Sequence, residues 1–330
     1  MQFYAPNQET HHFFNTPWEE VIKHCSNNFT TWIVGTYARI KQAGIPCEIV
    51  SHLPAQGIVI ADRDSLGNHY PYLPNTLIVC ACADREFHPS AYFHIVQNPV
   101  ALTKKKNALW RPHYIPHWIQ PNLIPRSAER GDRVENVAFI GTRSNLAKEF
   151  SSETWLQGLK DIGCNWLPIF EPERWSDYSN IDVVVAVRDF SGSPHDHKPA
   201  SKLVNCWSAS VPAILGPESA FVSLKKSELD FIAAHSIEQT LSEIKQLKND
   251  PLLYSAMVNN GTTRIAEFTQ AQITKRYTDF FGNYVFPEYD QWLARSDNSL
   301  NIDRAISFSK RYARLKSDRL KARLARTLKE

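Results

Sequence analysis

Three cationic side chains lie close together in one stretch of the chain and have the chemistry needed to bind an anion. Arg188 ends the apolar run that starts at Ile181, and Lys198 and Lys202 follow a polar loop. Guanidinium and ammonium groups are donors that proteins use to hold phosphate. We therefore predict that these three residues bind a phosphate group, although each of them alone could equally be a solvated or paired surface residue.

The pattern around these cations is that of strand, loop, helix and strand. The apolar run is typical of a buried parallel strand, and residues 211–215 predict the next strand. Between them, Pro199 suits the first turn of a helix and Ser201 suits its cap. In such a unit the helix N-terminus lies at the carboxyl edge of the sheet, where ligands bind. Ser201 therefore joins the predicted site.

A glycine turn contributes a second part of the predicted site. Gly141, Thr142 and Arg143 directly follow the apolar run 136–140, which predicts the first strand of the second half of the chain. Carboxyl ends of parallel strands meet at the same edge of a sheet. We therefore expect the backbone of this turn and the Arg143 side chain to face the same crevice as the helix start.

Glu218 lies just past the predicted strand 211–215, which suggests two different roles. A carboxylate at a strand end could accept hydrogen bonds from two ribose hydroxyls. The alternative is that Glu218 sits at the start of the following helix, where the helix dipole favours an acid. The sequence leaves both interpretations open.

Strand and helix patterns alternate in both halves of the chain, which predicts two parallel sheets with covered faces. The strands expected in the first half are 31–34, 47–50, 57–61, 76–82 and 92–97. A stretch rich in proline and aromatic residues, 99–133, has the character of a connector. We predict an α/β protein of two Rossmann-like domains facing a central cleft, residues 1–130 and 131–285, with a basic helical tail, residues 286–330.

The charge of the chain is distributed unevenly. Its 37 Lys and Arg nearly balance 34 Asp and Glu, but ten of the basic residues fall in 304–330 beside two acids. A general nucleic-acid binder would spread basic charge over a folded face, so we expect no nucleic-acid partner. The tail also carries a partial apolar stripe. It is therefore either a helix docked on the body, a solvated terminus, or a helix on an anionic membrane surface.

Other classes of protein are disfavoured by features that the sequence lacks. The six cysteines are scattered without a Cys-x-x-Cys pair, and no secretory signal or membrane-length apolar run is visible. Both observations favour a cytoplasmic protein with reduced thiols. Dinucleotide and P-loop glycine motifs are missing. The imidazole pair of His195 and His197 is poorly spaced for a closed zinc site without further ligands, so we expect no metal there.

These motifs together resemble the GT-B fold of glycosyltransferases. Residues 198–207, followed by Val211-Pro-Ala-Ile and then Glu218, are similar to the donor half of that superfamily, and residues 139–143 resemble its first strand and turn. The opening of the acceptor half is matched by Gly35-Thr36-Tyr37, which precedes a helical pattern. Further stretches, 94–99 and 117–126, resemble uncharacterised bacterial members, especially those of cyanobacterial type. The resemblance covers most of residues 30–285.

The resemblance implies transfer of a sugar from a nucleoside diphosphate sugar, the co-substrate, to a hydroxyl of a glycan, lipid or small-molecule acceptor. This architecture generally works without a metal, because a helix dipole and basic residues stabilise the leaving diphosphate. The resemblance therefore implies that Asp62 and Asp64, which resemble the Asp-x-Asp motif of other glycosyltransferase folds, hold no cation. Many retaining members carry two glutamates eight positions apart. Asn205 stands near the position of the one inside the helix, so the stereochemical course remains open.

An inverting reaction would need a base in the first domain. Asp84, His94 and Asp62 each lie near a predicted strand end, and Asp84 ranks first. Asp84 could instead cap a turn, and His94 could be a buried core histidine. Two other functions stay open for the whole chain: a non-catalytic relative that binds nucleotide or glycan, and a nucleotide-sugar epimerase.

Overall fold

The computed structural model describes residues 1–6, 16–23, 25, 29–68, 75–295 and 297–327. It contains two compact units, each described separately below. The first unit combines Met1–Ile115 with Thr274–Glu330, and the second consists of Pro116–Ile273. The sequence analysis put its domain boundaries after residues 130 and 285, whereas the chain passes between the compact units after residues 115 and 273.

The first unit is built on a six-stranded parallel sheet with the order β2-β1-β3-β4-β5-β6. Its strands are β1 (Gln2–Tyr4), β2 (Glu48–Val50), β3 (Gln56–Asp62), β4 (Asn75–Ala81), β5 (Phe93–Val96) and β6 (Pro112–Tyr114). The four expected strands from residue 47 to residue 97 are confirmed. The sequence analysis missed β1, and it missed β6 because that strand lies in the stretch assigned to a connector.

The expected strand at 31–34 is wrong. Thr30–Val34 form a π-helix that runs directly into α2 (Gly35–Gln42), and α1 (Trp18–Lys23) precedes it. Every residue of the π-helix is buried. A short apolar run fits a buried helix as well as a buried strand, and only its neighbours decide between them. The other helices of this part of the chain are α3 (Arg63–Leu66) and α4 (Val100–Thr103).

The second unit has a five-stranded parallel sheet with the order β11-β10-β9-β7-β8. Its strands are β7 (Asn136–Ile140), β8 (Asn165–Ile169), β9 (Val183–Ala186), β10 (Ala213–Leu215) and β11 (Ile232–Ala233). The helices are α5 (Glu153–Ile162), α6 (Ser201–Ala209), α7 (Ser219–Leu224), α8 (Ile237–Asn249) and α9 (Pro251–Ile265). The structure confirms the predicted strands of this half.

Both faces of this sheet are covered, which explains its continuous apolar strands. In β9, Val183 and Val185 pack in one core cluster with residues of α5 and α8, whereas Val184 and Ala186 pack in another with residues of α6 and α7. Successive side chains of a strand point to opposite faces, so a strand between two helix layers needs an apolar residue at every position. This requirement made the second half of the chain easy to recognise.

The strand order of the second sheet defines where a ligand site is expected. The chain places β8 on one side of β7 and then crosses over to place β9 on the other side. The connections that leave β7 and β9 therefore run in opposite directions along the sheet, which leaves a gap between the ends of these two strands. The carboxyl edge at such a switch point is the usual ligand crevice of open α/β sheets.

A buried aspartate fastens the start of the second unit to its sheet. Asp182 precedes β9, is 0% exposed, and accepts hydrogen bonds from Arg126, Arg130 and the backbone amides of Glu135 and Asn136. Burial opposes ionisation of Asp182. The Arg130 guanidinium and the backbone amides outweigh burial, so the pKa of Asp182 is lowered.

The C-terminal part of the chain is helical. It contains α10 (Gln270–Phe280), a π-helix (Phe281–Val285), α11 (Phe286–Leu293) and α12 (Asp297–Thr327). In α12, Arg311 donates to the carbonyl oxygens of Ala91 and Leu109, and Leu315 is buried. The expected tail helix is confirmed, and it packs on the first unit. No helix within the described residues combines the length and hydropathy needed to cross a membrane.

Short 3-10 helices complete the secondary structure. They are Lys105–Trp110, Ala128–Arg130, Arg143–Asn145, Lys148–Ser151, Pro172–Arg174 and Ala266–Phe268.

Candidate functional site

Lys202 is the central residue of the group at the switch point of the second sheet. It lies in the first turn of α6, and its Nζ donates to the carbonyl oxygen of Ile140, the last residue of β7, at 2.8 Å. Its ammonium also lies over the Phe139 ring, 5.1 Å from the centroid. The side chain is largely buried but keeps some exposed surface. It therefore presents a positive charge at the carboxyl edge of β7.

The surroundings of Lys202 make its charge costly in the unliganded site. Burial first, then the positive charge of Arg188 and to a smaller extent that of Lys198, lower its pKa to about 8, while Glu218 opposes the shift. A cation whose pKa is depressed by neighbouring cations is stabilised when an anion binds among them. This arrangement favours a negatively charged ligand.

Arg188 and Glu218 form a partly buried ion pair at the same edge. Arg188 follows β9, Glu218 follows β10, and Nε of the arginine donates to Oε2 of the glutamate at 2.8 Å. Glu218 occupies the N-cap position of α7, but its side chain makes no capping hydrogen bond. The contact with Arg188 is instead the interaction that fixes its carboxylate.

Gly141 lets the chain pass close to Lys202. Its φ is +141°, and a Cβ at this position would lie 2.7 Å from Nζ of Lys202. Glycine is therefore favoured here for two reasons, because it adopts this backbone angle easily and because it leaves room for the Lys202 side chain. Thr142 and Arg143 are exposed. The Arg143 guanidinium lies 4.0 Å from the centroid of the Phe170 ring, just past the end of the adjacent strand β8.

The expectation that Ser201 caps α6 is wrong. Ser201 is the first residue of the helix, and the N-cap is Ala200, which provides no side-chain hydrogen bond. Ala200 is buried in the core cluster beneath the sheet, so the chain enters the helix one residue earlier than expected. The first turn of α6 consequently has no side-chain cap. An anion at that end would satisfy its amide groups.

The residues predicted for the acceptor side lie in the interior of the first unit. Gly35 begins α2, and a Cβ there would lie 2.9 Å from Sγ of Cys25. Thr36 is 0% exposed and Tyr37 is also buried. Tyr37 accepts a hydrogen bond from Lys41 through its hydroxyl, at 2.8 Å. These residues form the first turn of the buried helix α2, whereas the sequence predicted that they precede a helical pattern.

His94 has the environment of a core histidine. It is 0% exposed, Nδ1 donates to the carbonyl oxygen of Trp110 at 2.5 Å, and Nε2 accepts from the backbone amide of His88 at 3.1 Å. Burial, reinforced by the charge of Arg311, lowers its pKa to about 3. Both ring nitrogens are therefore engaged within the protein, in agreement with the second of the two predicted roles.

The other base candidates lie past strand ends of the first sheet. Asp84 is partly exposed in a turn that follows β4. Asp62 is the last residue of β3, and its Oδ2 accepts hydrogen bonds from the backbone amides of Asp64 and Ser65 at the start of α3. Nowhere in the described ranges do three or more His, Cys, Asp or Glu side chains form a group that could hold a metal ion.

Two features of the second-unit site were missed by the sequence analysis. Phe139 and Phe170 lie beneath Lys202 and Arg143, respectively. Phe139 is the next-to-last residue of β7, and Phe170 directly follows β8. The sequence alone gives no signal that a cation packs on either ring. The second missed feature is the Lys202 contact with Ile140, which joins the first turn of α6, the helix between β9 and β10, to the end of β7.

Comparison with known proteins finds similarity in structure. No family model matches the sequence, and no curated protein matches it either. Anabaena HepE, solved in complex with UDP and glucose, superimposes with a TM-score of 0.53 at 10% identity, over 86% of this chain and 99% of HepE.

Two further solved structures are similar over a smaller part of their own length. The pneumococcal O-GlcNAc transferase GtfA, in complex with UDP and GlcNAc, gives a TM-score of 0.51 at 11% identity over 79% of this chain and 60% of GtfA. TarM of S. aureus gives 0.50 at 12% identity over 75% of this chain and 59% of TarM. This chain thus spans about three-fifths of these two proteins. The comparisons show that it has the GT-B fold, as predicted.

Proposed function

We propose that this protein transfers a glycosyl group from a nucleoside diphosphate sugar to an acceptor hydroxyl. The observation that carries the proposal is the group formed by Gly141, Arg188, Lys198, Lys202 and Glu218 at the switch point of the second sheet. The fold supports the same conclusion, since the similar structures of HepE and GtfA hold UDP and a sugar.

The leaving diphosphate gains negative charge in such a reaction, and preorganised cations stabilise that charge. We assign this role to Lys202 and Arg188, with Lys198, Arg143 and the uncapped first turn of α6 in support. Cations of the chain, in place of a metal ion, neutralise the diphosphate in this proposal. Oε2 of Glu218 accepts a hydrogen bond from Arg188 and so holds that side chain in place. The carboxylate can accept further hydrogen bonds, in this proposal from ribose hydroxyls.

The acceptor must lose a proton if the reaction inverts the anomeric centre. We propose Asp84 as the base, because it is partly exposed past the end of β4 at the carboxyl edge of the first sheet. His94 is not part of this proposal, since both of its ring nitrogens are engaged in the core.

A cytoplasmic location and a peripheral membrane contact through α12 complete the proposal. The exposed side chains of Leu320 and Leu324 support that contact.

The experiment that tests this function measures turnover. The protein is incubated with UDP-, GDP- and dTDP-sugars, with and without mixed glycan, lipid and small-molecule acceptors, and the released nucleoside diphosphate is quantified. We expect release with one donor, stimulated by an acceptor. Nucleotide binding without release would instead identify a non-catalytic binder, and an isomerised sugar without release would identify an epimerase.

The pKa of Lys202 predicts how nucleotide binding depends on pH. Lys202 is protonated below about pH 8 and loses its charge above it. UDP affinity should therefore fall as the pH rises through 8, and UDP binding above that pH should be accompanied by proton uptake. Calorimetry in two buffers of different ionisation enthalpy measures both effects. Loss of the pH dependence in Lys202→Met assigns it to this residue, whereas an unchanged profile would assign it elsewhere.

Gly141→Ala should weaken UDP binding by roughly tenfold, about 1.4 kcal/mol. The added Cβ displaces Nζ of Lys202, which is the end of a flexible side chain, and alanine is also strained at a φ of +141°. Gly131→Ala is the matched control, because Gly131 also has a positive φ, +53°, but no atom within 4 Å of the added Cβ. Calorimetric titration of both variants with UDP measures the two affinities. Equal affinities in the two variants would show that the Gly141–Lys202 contact is irrelevant to the ligand.

A further inference from the structure

A surface pocket of about 330 Å³ lies in the first unit, at the end of its sheet opposite the carboxyl edge. Tyr92 lines it just before β5, and Arg111 lines it just before β6. The remaining wall comes from Trp292 of α11 and from α12. Ligand crevices of the reaction type proposed above lie at carboxyl edges. The pocket is therefore separate from the candidate nucleotide site.

The lining of this pocket is strongly cationic. One carboxylate lines the pocket, that of Asp303, and a second, that of Glu288, pairs with Arg111. Five positively charged side chains line it: Arg111, Arg295, Arg304, Lys310 and Arg311. Asp303 forms an ion pair with Arg295. The excess of positive charge is concentrated in a volume that suits a small anion.

Arg311 is the most buried of these cations. It is 6% exposed, and its hydrogen bonds go to the carbonyl oxygens of Ala91 and Leu109. Within the described part of the chain it forms no ion pair with a carboxylate. Burial, followed by the positive charge of Arg111, lowers the pKa of Arg311 to about 10. A buried guanidinium beside other cations is electrostatically unfavourable until an anion compensates it.

Two of the guanidinium groups are held in place by aromatic rings. Arg111 lies 4.0 Å from the Tyr92 centroid, and Arg304 lies 4.4 Å from the Trp292 centroid. Glu288 joins this frame, accepting hydrogen bonds from the Tyr92 hydroxyl, from Trp292 Nε1 and, at 3.5 Å, from Arg111 Nη1. Planar guanidinium groups fixed in this way match the oxygen atoms of a phosphate group and lose little entropy on binding it.

Docking of α12 does not account for all of these charges. Arg304 and Arg311 donate to backbone carbonyls of the first unit and so hold the helix in place. The side chains of Arg111 and Arg295, however, are 43% and 39% exposed at the mouth of the pocket. Arg111 pairs with Glu288 and Arg295 pairs with Asp303, so five cations share two carboxylates around the pocket and an excess of positive charge remains there.

We propose that this pocket binds a phosphate group carried by a small molecule or by a lipid head group. Arg311 and Arg304 form its floor, and Arg111 and Arg295 close on the phosphate oxygens from the mouth. Asp303 limits the affinity, since it occupies Arg295. Contact of α12 with the ligand couples its docking to the presence of the anion.

The first test uses inorganic phosphate as the probe. The arginine Nε–Hε resonances of the full chain are followed during titration with phosphate, with sodium chloride of equal ionic strength as reference. We expect a saturable shift of the Arg304 and Arg311 signals. The double variant Arg111→Gln with Arg295→Gln should raise the Kd at least roughly tenfold, as expected for lost charge-assisted hydrogen bonds. Both residues are partly exposed, so the variant should fold.

Two further variants sharpen the test. Arg314→Gln removes a charge from the same helix outside the pocket lining, where Arg314 pairs with Asp318, and should leave the Kd unchanged. Asp303→Asn should lower the Kd because it releases Arg295. Lys202→Met should bind phosphate at this pocket like the unaltered chain, so failure of the pocket is distinguishable from failure of the nucleotide site. Shifts that merely track ionic strength, or a Kd unaffected by the double variant, would overturn the proposal.

The source of the phosphate is decided by vesicle sedimentation. Vesicles of phosphatidylcholine are compared with vesicles that also contain phosphatidic acid. Binding to the second kind alone, lost on addition of inorganic phosphate and in the Arg111 and Arg295 double variant, identifies a lipid head group. Saturable phosphate binding without vesicle binding identifies a soluble phosphorylated ligand.

Discussion

Lys202→Met is expected to weaken UDP binding by roughly 10- to 100-fold, because a hydrogen bond to a charged group contributes ~1.5–3 kcal/mol. The same substitution should raise the stability of the protein. Burial and neighbouring cations lower the Lys202 pKa from 10.5 to about 8, so its charge disfavours the folded state below pH 8. This cost is relieved as the pH rises from 8 to 10.5. Since Lys202 keeps some exposed surface and Ile140 loses a donor, the net gain is on the order of 1 kcal/mol.

Opposite changes in the two measurements distinguish a functional lysine from a structural one. Calorimetric titration with UDP gives the affinity, and urea unfolding gives the stability. Lys160→Ala is the control, since Lys160 is exposed on α5 and should change neither quantity. An unchanged affinity in Lys202→Met would remove this residue from the donor site. A loss of both affinity and stability would assign it a structural role.

Asp182→Asn is expected to destabilise the second unit by ~3–5 kcal/mol, the usual cost of removing one partner from a buried ion pair. The asparagine leaves the guanidinium groups of Arg126 and Arg130 without their shared counter-charge. It also weakens the hydrogen bonds from the backbone amides that begin β7. Urea unfolding followed by tryptophan fluorescence, fitted with separate transitions for the two units, measures the loss.

The pH dependence gives an independent check on Asp182. Its folded-state pKa is below the ordinary value of 3.8, so its charge stabilises the fold above that pH, and the contribution is lost as the pH falls through the folded pKa. The difference between Asp182→Asn and the unaltered chain should therefore shrink in acid. Asp161→Asn, on the exposed face of α5, should stay within ~0.5 kcal/mol of the unaltered protein. A similarly small effect at position 182 would refute the anchoring role.

The parallel sheets were largely predictable because their strands are covered on both sides. An apolar residue is then required at every position, and the runs at 136–140 and 165–169 gave the bounds of β7 and β8 directly. The same reasoning failed at Thr30–Val34, where a run equally apolar forms a buried π-helix. Burial selects apolar residues in either conformation, and the local sequence carries no information about which partner buries them.

Short polar or proline-containing strands were hidden for the opposite reason. β6 (Pro112–Tyr114) pairs only with β5 and is a partly buried edge strand, so nothing requires it to be apolar. Its identity as a strand comes from the neighbour to which it is paired. The Asp182 anchor is a similar case, because its partners at 126 and 130 are more than fifty residues away in the chain.

The residue types at the strand ends of the second half were readable from the order of the amino acids, which places cations, a glycine turn and an acid at one edge of the sheet. Strand periodicity and chain direction suffice for that, since parallel strands place their carboxyl ends together. The contacts among these residues follow from the fold: the pairing of β9 with β7 brings the first turn of α6, which follows β9, close to the end of β7, where Lys202 donates to Ile140. The pairing of β10 with β9 brings Glu218 to Arg188. The tertiary structure also decided that the basic tail packs on the first unit, because contacts between distant segments depend on distances that no local pattern encodes.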